Sequence, residues 1–590
     1  MKTIFIDKLN FFSFIKIFFT LNNVREVKII SELNYLSRVF IWILNFFKIK
    51  VNYENFFFGN IKGSNGESIF LSTRKIASIK SLDYSSWVLE NSSFNIKGEN
   101  NIEGKRILQL NISKTVWSEM EYFYRRLMYI KTCYDSKIKH SILLSRPIFI
   151  KPEFLINNNK DLQLFFYGNN FFSNFKILLK FYSVKLIGIK NILGSQKNIQ
   201  MKKSTVSIST DNIDINSSNR FFPHWYKKMD ERNLYILNHK KFDVNISENE
   251  MKKNNIKILN SKMTFFSSFN NLKIKLTNKK NIPIALKIKI KNLFAFANGS
   301  YVLLKKLNCD QFIFIDTNDP ITDAVTLISK KMDVKTSCIQ FSNMGIINPL
   351  MMTITDIFFS FSSIYEKIFS WNKIKPKSFE HVGYSFNSTI DQGLNEIKNE
   401  LDNIGVETTI VYFDESVENN KWGLISEKKN ISDLELLAKT VIRQKNIAII
   451  LKPQFFNNSV NKYNSKILNE AIQTKRFIEI KKGKGFNRNL YTPSNLSQIA
   501  DYAIGNLVGA TASLEFALNN KKSVLINPYG YKSENEIFFN KSNIVFKTLG
   551  EAIKKIISAD QTVGDWSKVI NHFSKNTEFS NESINSILSK

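Results

Sequence analysis

Residues Asp501–Gly530, DYAIGNLVGATASLEFALNNKKSVLINPYG, decide the fold. DYAIGN (501–506) is a short apolar run suited to a buried strand, ATASLEFALNN (510–520) has helical spacing, and KSVLINP (522–528) is a second apolar run. Strand, helix and strand in so short a stretch make a βαβ unit, which places the two strands parallel. The turn between the first strand and the helix is small and flexible, with Gly505, Gly509, Ala510, Thr511, Ala512 and Ser513. Small residues let backbone approach a ligand, and the free N–H groups of a helix start favour a phosphate. Glu515, an acceptor when ionised, can then take ribose hydroxyls. The equal alternative is a plain capped helix, with Thr511 or Ser513 as N-cap and Glu515 complementing the helix dipole.

Working outward, the same alternation fills the chain from Gly383 onward. ETTIVYFD (407–414), NIAIILKP (446–453) and RFIEIKKG (476–483) read as strands. STIDQGLNEIKNELDNIG (388–405), DLELLAKTVIRQ (433–444), NSKILNEAIQTK (464–475) and LGEAIKKIISAD (549–560) read as helices. About six parallel strands with crossover helices give a doubly wound domain at 380–575. Upstream, CDQFIFIDTND (309–319) is a buried strand ending in acids, PITDAVTLISKKMD (320–333) a helix with proline in its first turn, and VKTSCIQF (334–341) another strand. The first 55 residues alternate strand and helix in the same way. A second Rossmann-like domain therefore spans 1–375, with a linker near 372–382. Residues 195–260, rich in Asn, Ser and Lys with weak periodicity, read as a polar surface insertion or mobile segment. WSEMEYFYRRLMYIKTCY (117–134) reads as a helix capped at Ser118 or an earlier serine. NLKIKLTNKKNIPIALKIKIKN (271–292) alternates lysine with apolar residues at period two, the pattern of a strand with a wet face.

In doubly wound sheets ligands sit beyond the carboxyl ends of the strands. Besides the turn holding Gly509, Thr511, Ser513 and Glu515, two more ends carry chemistry. Lys452 closes a buried strand and can reach a phosphate, or is an exposed lysine in a lysine-rich chain. Gln340 opens the loop QFSNMG (340–345), and Asp316, Asp319 and Asp323 follow the neighbouring strand. One of these carboxylates can serve as general base toward an acceptor hydroxyl. The alternative is an aspartate at a helix start beside Pro320.

Composition bounds the rest. Hydrophobic residues make up 43%, enough for full cores. Net charge is +32, from 83 Lys and Arg against 51 Asp and Glu. Asn, Lys, Ile and Phe, whose codons are rich in A and T, dominate throughout. No dense basic block stands out, so nucleic acid is not an expected partner, and the charge suits acidic polymers or an anionic membrane leaflet. Cys133, Cys309 and Cys338 are far apart and the 5 histidines scattered, so neither a disulfide framework nor a metal site is expected. The apolar N-terminus is broken by Lys8 and Lys16 without a cleavage site. Tyr35–Lys48 is too short to span a bilayer and holds Arg38. A cytoplasmic protein is expected. The N-terminal helices either pack on a sheet or attach peripherally to the inner membrane face.

From about residue 295 to 560 the chain resembles bacterial surface-carbohydrate and capsule-type GT-B transferases. These include relatives of CDP-glycerol glycerophosphotransferases and of enzymes using CMP-linked acidic sugars. The resemblance rests on HVGYS (381–385), the strand end Phe413-Asp414, Leu451-Lys452-Pro453, and the block Asp501–Gly530, all in order. Where relatives carry Gln-His-Gly, this chain has Gln340-Phe341-Ser342. The resemblance implies two Rossmann-like domains facing an interdomain cleft. It also implies a nucleotide-sugar donor held by Ser513, Glu515 and Lys452, a polysaccharide or lipid-linked acceptor, and no metal or other cofactor. Polyol-phosphate transfer and a catalytically inactive module that binds polysaccharide are the alternatives.

Overall fold

The computed structural model describes residues 2–20, 24–96, 101–134, 141–168, 203–208, 232–238, 246–259, 274–277, 282–384, 392–453, 463–480, 491–532 and 543–589, apart from isolated positions within them. Three parallel sheets organise these residues, in two compact units.

The first unit comprises 1–196, 264–300 and 418–426. Its sheet contains β1 (Lys2–Ile6), β2 (Val24–Ile29), β3 (Lys50–Tyr53), β4 (Ser141–Ser145) and β5 (Gln163–Tyr167), in the order β3-β2-β1-β4-β5. The chain winds one way through β3, then returns past β1 and winds the other way. Helices α1 (Phe11–Thr20) and α2 (Tyr35–Phe46) make the first crossovers. Helices α3 (Ile69–Glu90) and α4 (Asn101–Cys133) form a long hairpin before β4. The helix expected near 117–134 thus begins sixteen residues earlier, at Asn101.

The second unit holds two sheets. One runs β12-β11-β10-β9-β6-β7-β8, from β6 (Ser204–Ile208), β7 (Asn233–Leu237), β8 (Ile256–Leu259), β9 (Cys309–Phe314), β10 (Lys335–Ile339), β11 (Ile357–Ser360) and β12 (Ser378–His381). The other runs β15-β14-β13-β16-β17-β18, from β13 (Thr408–Phe413), β14 (Ile447–Lys452), β15 (Phe477–Glu479), β16 (Tyr502–Asn506), β17 (Lys522–Ile526) and β18 (Val545–Phe546). Every pairing recorded in both sheets is parallel. Strands buried on both faces read as continuous apolar runs, as IAIILK in β14 does. Helix α5 (Ile284–Lys306) begins among the residues of the first unit and ends among those of the second, whose crossover helices include α6 (Pro320–Met332), α7 (Gln392–Asn403), α8 (Glu427–Arg443), α9 (Lys466–Gln473), α10 (Thr511–Ala517) and α11 (Leu549–Ile557). The last helix, α12 (Thr577–Ser589), returns to the seven-stranded sheet. Its Ile584 and Leu588 join the core of that sheet, and Gln311 Nε2 donates to Leu588 O at 2.5 Å.

The α/β class of doubly wound parallel sheets read from the sequence stands, with two such sheets in the second unit and a third in the first. Two expectations change. The described residues within 195–260 supply β6, β7 and β8 of the seven-stranded sheet, where their polar strand residues are buried, while the rest of that stretch lies outside the described residues. Ser204 Oγ donates to Leu307 O at 2.6 Å and Thr205 Oγ1 to Gln311 Oε1 at 3.2 Å. Of residues 271–292, expected as a strand with a wet face, Ile274–Thr277 do form a strand, and Ile284 onward opens helix α5. Leu286, Ile290, Leu293 and Ala297 bury its inner face at helical spacing.

Candidate functional site

In the six-stranded sheet the winding reverses between β13 and β16, and the crevice beyond their carboxyl ends is the place for a ligand. Three sequence-predicted residues lie at or just past the carboxyl ends of this sheet's strands. Lys452 ends β14 in register with Phe413, the end of β13, and is buried. Gly509 lies in the turn after β16, where a Cβ would overlap Glu415 Oε1, so the carboxylate just past β13 rests against the turn backbone. Thr511 begins α10, and its Oγ1 accepts from Asn343 N at 3.0 Å. That bond ties the turn to the loop after β10 in the neighbouring sheet. Ala510 enters the helix at φ +20°, a conformation that is tight for a residue with a Cβ.

The other two donor-site residues face inward. Ser513 is 1% exposed and packs over Gly505, with no hydrogen-bond partner for its Oγ. Glu515 is 3% exposed, and its carboxylate is already engaged. Oε1 accepts from Ser494 N at 3.2 Å and Ser494 Oγ at 3.0 Å, while Oε2 accepts from Tyr384 OH at 2.9 Å. Tyr384 belongs to the HVGYS stretch, so Glu515 fastens that segment to the first turns of α10.

Gln340, expected near the chemistry, has both ends of its amide taken. Oε1 accepts from Phe361 N at 2.9 Å, and Nε2 donates to Ser342 O at 3.0 Å. It fixes the loop that carries Asn343, whose Oδ1 accepts from Tyr365 OH at 2.7 Å. Asp316 and Asp319 lie outside the described residues. The strand they follow, β9, borders the reversal point of its own sheet, between β6 and β9. Asp323 is buried in the first turn of α6.

Sequence reasoning missed Glu415, Asn343, Tyr384 and Ser494, whose relevance comes only from tertiary contact. It also missed an acidic setting at the end of β13. Burial, then the carboxylates of Asp433, Asp414 and Glu415, hold the Tyr412 phenol well above its ordinary value. Burial and Asp433 push Tyr529 up to about 12. Burial raises Asp433 itself against the opposing pull of Lys429, its ion-pair partner. Asp414 and Glu415 just past β13 and Lys452 at the end of the adjacent β14 give these strand ends both signs of charge.

Two further polar clusters resemble sites in outline and differ in detail. Ser360 Oγ lies 2.8 Å from His381 Nδ1, and His381 Nε2 is 2.9 Å from Glu366 Oε1. Ser360 is fully buried, so no substrate carbonyl reaches its hydroxyl. In the first unit, Asp7 follows β1 at the reversal between β1 and β4. It accepts from Lys8 N at 2.7 Å, Tyr167 OH at 2.6 Å, Ser145 N at 3.0 Å, Ser145 Oγ at 2.7 Å, and Tyr122 OH. Five donors fill a carboxylate that offers about four lone-pair sites, which leaves nothing for a ligand.

No family model matches this chain, and no curated protein matches it. Solved structures with a similar outline include a UDP-N-acetylglucosamine 2-epimerase from Listeria monocytogenes, at TM-score 0.40 and 11% identity, covering 66% of this chain and 96% of that one. The wall teichoic acid polymerase TagF is similar at TM-score 0.40 and 11% identity, covering 71% of this chain and 97% of that one. The UDP-GlcNAc 2-epimerase of Neisseria meningitidis, bound to UDP-GlcNAc, is similar at TM-score 0.38 and 8% identity, covering 66% of this chain and 100% of that one.

Proposed function

We propose that this protein is a glycosyltransferase that moves a sugar from a nucleotide-linked donor to a growing surface polysaccharide or lipid-linked glycan. The observation that carries the reading is the reversal crevice of the six-stranded sheet. Glu415 rests on the turn at Gly509 and Thr511 there, Lys452 ends the strand next to β13, and their order along the chain resembles that of capsule-type transferases. Lys452 supplies a cation for the donor diphosphate, and charge placed in advance stabilises a departing phosphate without reorganisation. Glu415 offers acceptor oxygens for ribose or sugar hydroxyls. Glu515 acts from behind, by fastening α10 and the HVGYS segment. Asp316 or Asp319 would serve as general base toward the acceptor.

A second reading is favoured by one observation. Gln340 and Glu515 are both consumed in internal bonds, and Phe341-Ser342 replaces the expected His-Gly. A GT-B module that binds glycan without turnover has this signature.

The deciding experiment is calorimetric titration of the full chain with CMP, CDP, UDP, GDP, their sugars and CDP-glycerol. The transferase reading expects one nucleotide to bind selectively, with affinity reduced at least about tenfold, 1.4 kcal/mol, in Lys452→Ala. Selectivity for CDP-glycerol assigns polyol-phosphate transfer. A folded protein that binds none of them supports the module without turnover.

A further inference from the structure

The outward face of α2 is apolar where a surface helix is ordinarily polar. Ser37, Phe40, Ile41 and Leu44 turn toward the sheet, and Phe40 stacks on Phe14 of α1 at 5.0 Å. The opposite face is exposed: Tyr35 by 80%, Leu36 by 61%, Val39 by 44%, Trp42 by 69% and Phe46 by 73%. These residues recur at the three- and four-residue steps of a helical face, and Trp42 stacks on Phe46 at 6.3 Å. Apart from Arg38 and Asn45 on one flank, this helix is apolar on its exposed face as well as its inner one, and nothing among the described residues covers that exposed face. The patch continues at one end into Phe47, 51% exposed, and Phe11 and Phe12 of α1 add to the exposed aromatic surface of this unit.

The charges around the patch select the partner. Between residues 8 and 50 the exposed charged side chains, among the described residues, are Lys8, Arg25, Arg38, Lys48 and Lys50. The described carboxylate there is Glu26, half-buried and engaged by Thr3 and Asn52. Two copies meeting on this face would bring like charges together. An anionic surface with an apolar interior satisfies both features.

We propose that α2 is an interfacial helix that seats the protein on an anionic lipid bilayer, with Trp42 and Phe46 in the acyl boundary and Arg38, Lys48 and Lys50 at the headgroups. Its twelve residues span about 18 Å, too short to cross the hydrocarbon core but suited to lying in its plane. No described helix of the chain is long and apolar enough to cross a membrane. The inference stands apart from the transferase reading, since it involves none of the crevice residues. It gives a transferase with a lipid-linked acceptor a place to meet it.

The test is flotation of the full chain with vesicles of phosphatidylcholine alone or with about 30% phosphatidylglycerol. The wild type floats with the anionic vesicles and is released by high salt. W42S/F46S lowers the partition coefficient at least about thirtyfold. R38E/K48E removes the preference for anionic lipid. Exposed positions tolerate these changes, and an unshifted melting curve checks it. As a second readout, Trp42→Phe retains binding but loses most of the tryptophan quenching by brominated lipid. Equal flotation of W42S/F46S and wild type overturns the proposal. So does binding indifferent to lipid charge, or a concentration-dependent dimer abolished by W42S/F46S without vesicle binding. Nucleotide titration of the same variants keeps the two readings separate, because α2 substitutions leave donor affinity unchanged.

Discussion

Removing the Glu515 carboxylate tests how the crevice is built. Glu515→Ala strands three buried donors: Ser494 N–H, the Ser494 hydroxyl and the Tyr384 hydroxyl. Ser494 is 5% exposed and Tyr384 1%, so water does not readily replace the lost acceptor. At about 1–3 kcal/mol for each stranded group, with partial relief by relaxation, the expected loss is about 4 kcal/mol. Tyr384→Phe removes one donor while the carboxylate keeps two, for about 1.5 kcal/mol. If the two side chains share the bond seen here, the double variant loses about 4 kcal/mol rather than the sum, a coupling of about 1.5 kcal/mol. Urea unfolding read by hydrogen exchange of peptides within 491–530 isolates this sheet from the first unit. Additivity within about 0.5 kcal/mol would refute the shared bond. Donor titration of the same variants separates a clamp from a ligand contact. A clamp loosens α10 whichever partner is lost, so both single variants weaken binding. A direct ribose contact weakens it in Glu515→Ala and leaves Tyr384→Phe at wild-type affinity.

Three more perturbations probe other parts of the structure. Gly509→Ala drives a Cβ into Glu415 Oε1, the free end of a flexible side chain, so melting changes by under about 1 kcal/mol while nucleotide affinity falls about tenfold. Unchanged affinity by calorimetry would remove Glu415 from the crevice. Trp422 is 6% exposed within the first unit, packs against Phe56, Phe58 and Tyr129, and lies under the Arg126 guanidinium. Trp422→Ala should cost about 3–5 kcal/mol, with faster hydrogen exchange in 51–60 and 121–130 and little change in 491–530. Asp356 accepts from Lys330 Nζ at 2.5 Å, Thr336 N at 2.9 Å and Thr336 Oγ1 at 2.8 Å. Burial alone would raise its carboxyl, but Lys330 and Thr336 outweigh burial and hold it well below the carboxylate range. A folded value below the unfolded one, about 3.9, stabilises fully above that pH and progressively less as pH falls toward the folded value. Asp356→Asn should therefore cost about 2 kcal/mol at neutral pH, with its deficit shrinking below about pH 4 in denaturation curves.

The six-stranded sheet was legible because its strands are single apolar runs that largely alternate with helices of their own period. β6, β7 and β8 were not, since each is only four or five residues long between long stretches rich in Asn, Ser and Lys. Ser204, Thr205 and Ser207 look like surface residues in sequence, yet all three are buried. Buried hydroxyls that find partners behave as core, and a hydropathy pattern does not see the partner. The start of α5 fails differently. Ile284, Leu286, Ile288 and Ile290 alternate as a strand would, while Leu286, Ile290, Leu293 and Ala297 keep helical spacing, and so short a window satisfies both periods. At the site, position along the chain located Lys452, Gly509 and Thr511 at strand ends. Direction was beyond its reach: one turn further on, Ser513 and Glu515 point into the protein. Glu415 carried no signal of its own, because its meaning comes from the glycine it rests on.

The three reversal points of this chain are used unequally, and the difference separates the roles of the two units. A parallel doubly wound sheet always creates a crevice where its winding reverses, whether or not a ligand is needed there. In the first unit that crevice is closed by the fold's own groups. Asp7 takes five donors, and Arg126, 5% exposed, stacks on the Tyr122 and Trp422 rings. Glu119 accepts from Ile148 N and Phe149 N nearby in the same unit. The acceptors of Asp7 and Glu119 are taken up by these internal bonds, while the buried Arg126 Nε finds no hydrogen-bond partner among the described residues. The six-stranded sheet instead keeps Glu415 and the small-residue turn at its reversal point, with Lys452 ending the strand next to β13. Of the first unit's described surface, the part that departs furthest from an ordinary solvated one is the exposed face of α2, on which the bilayer proposal rests.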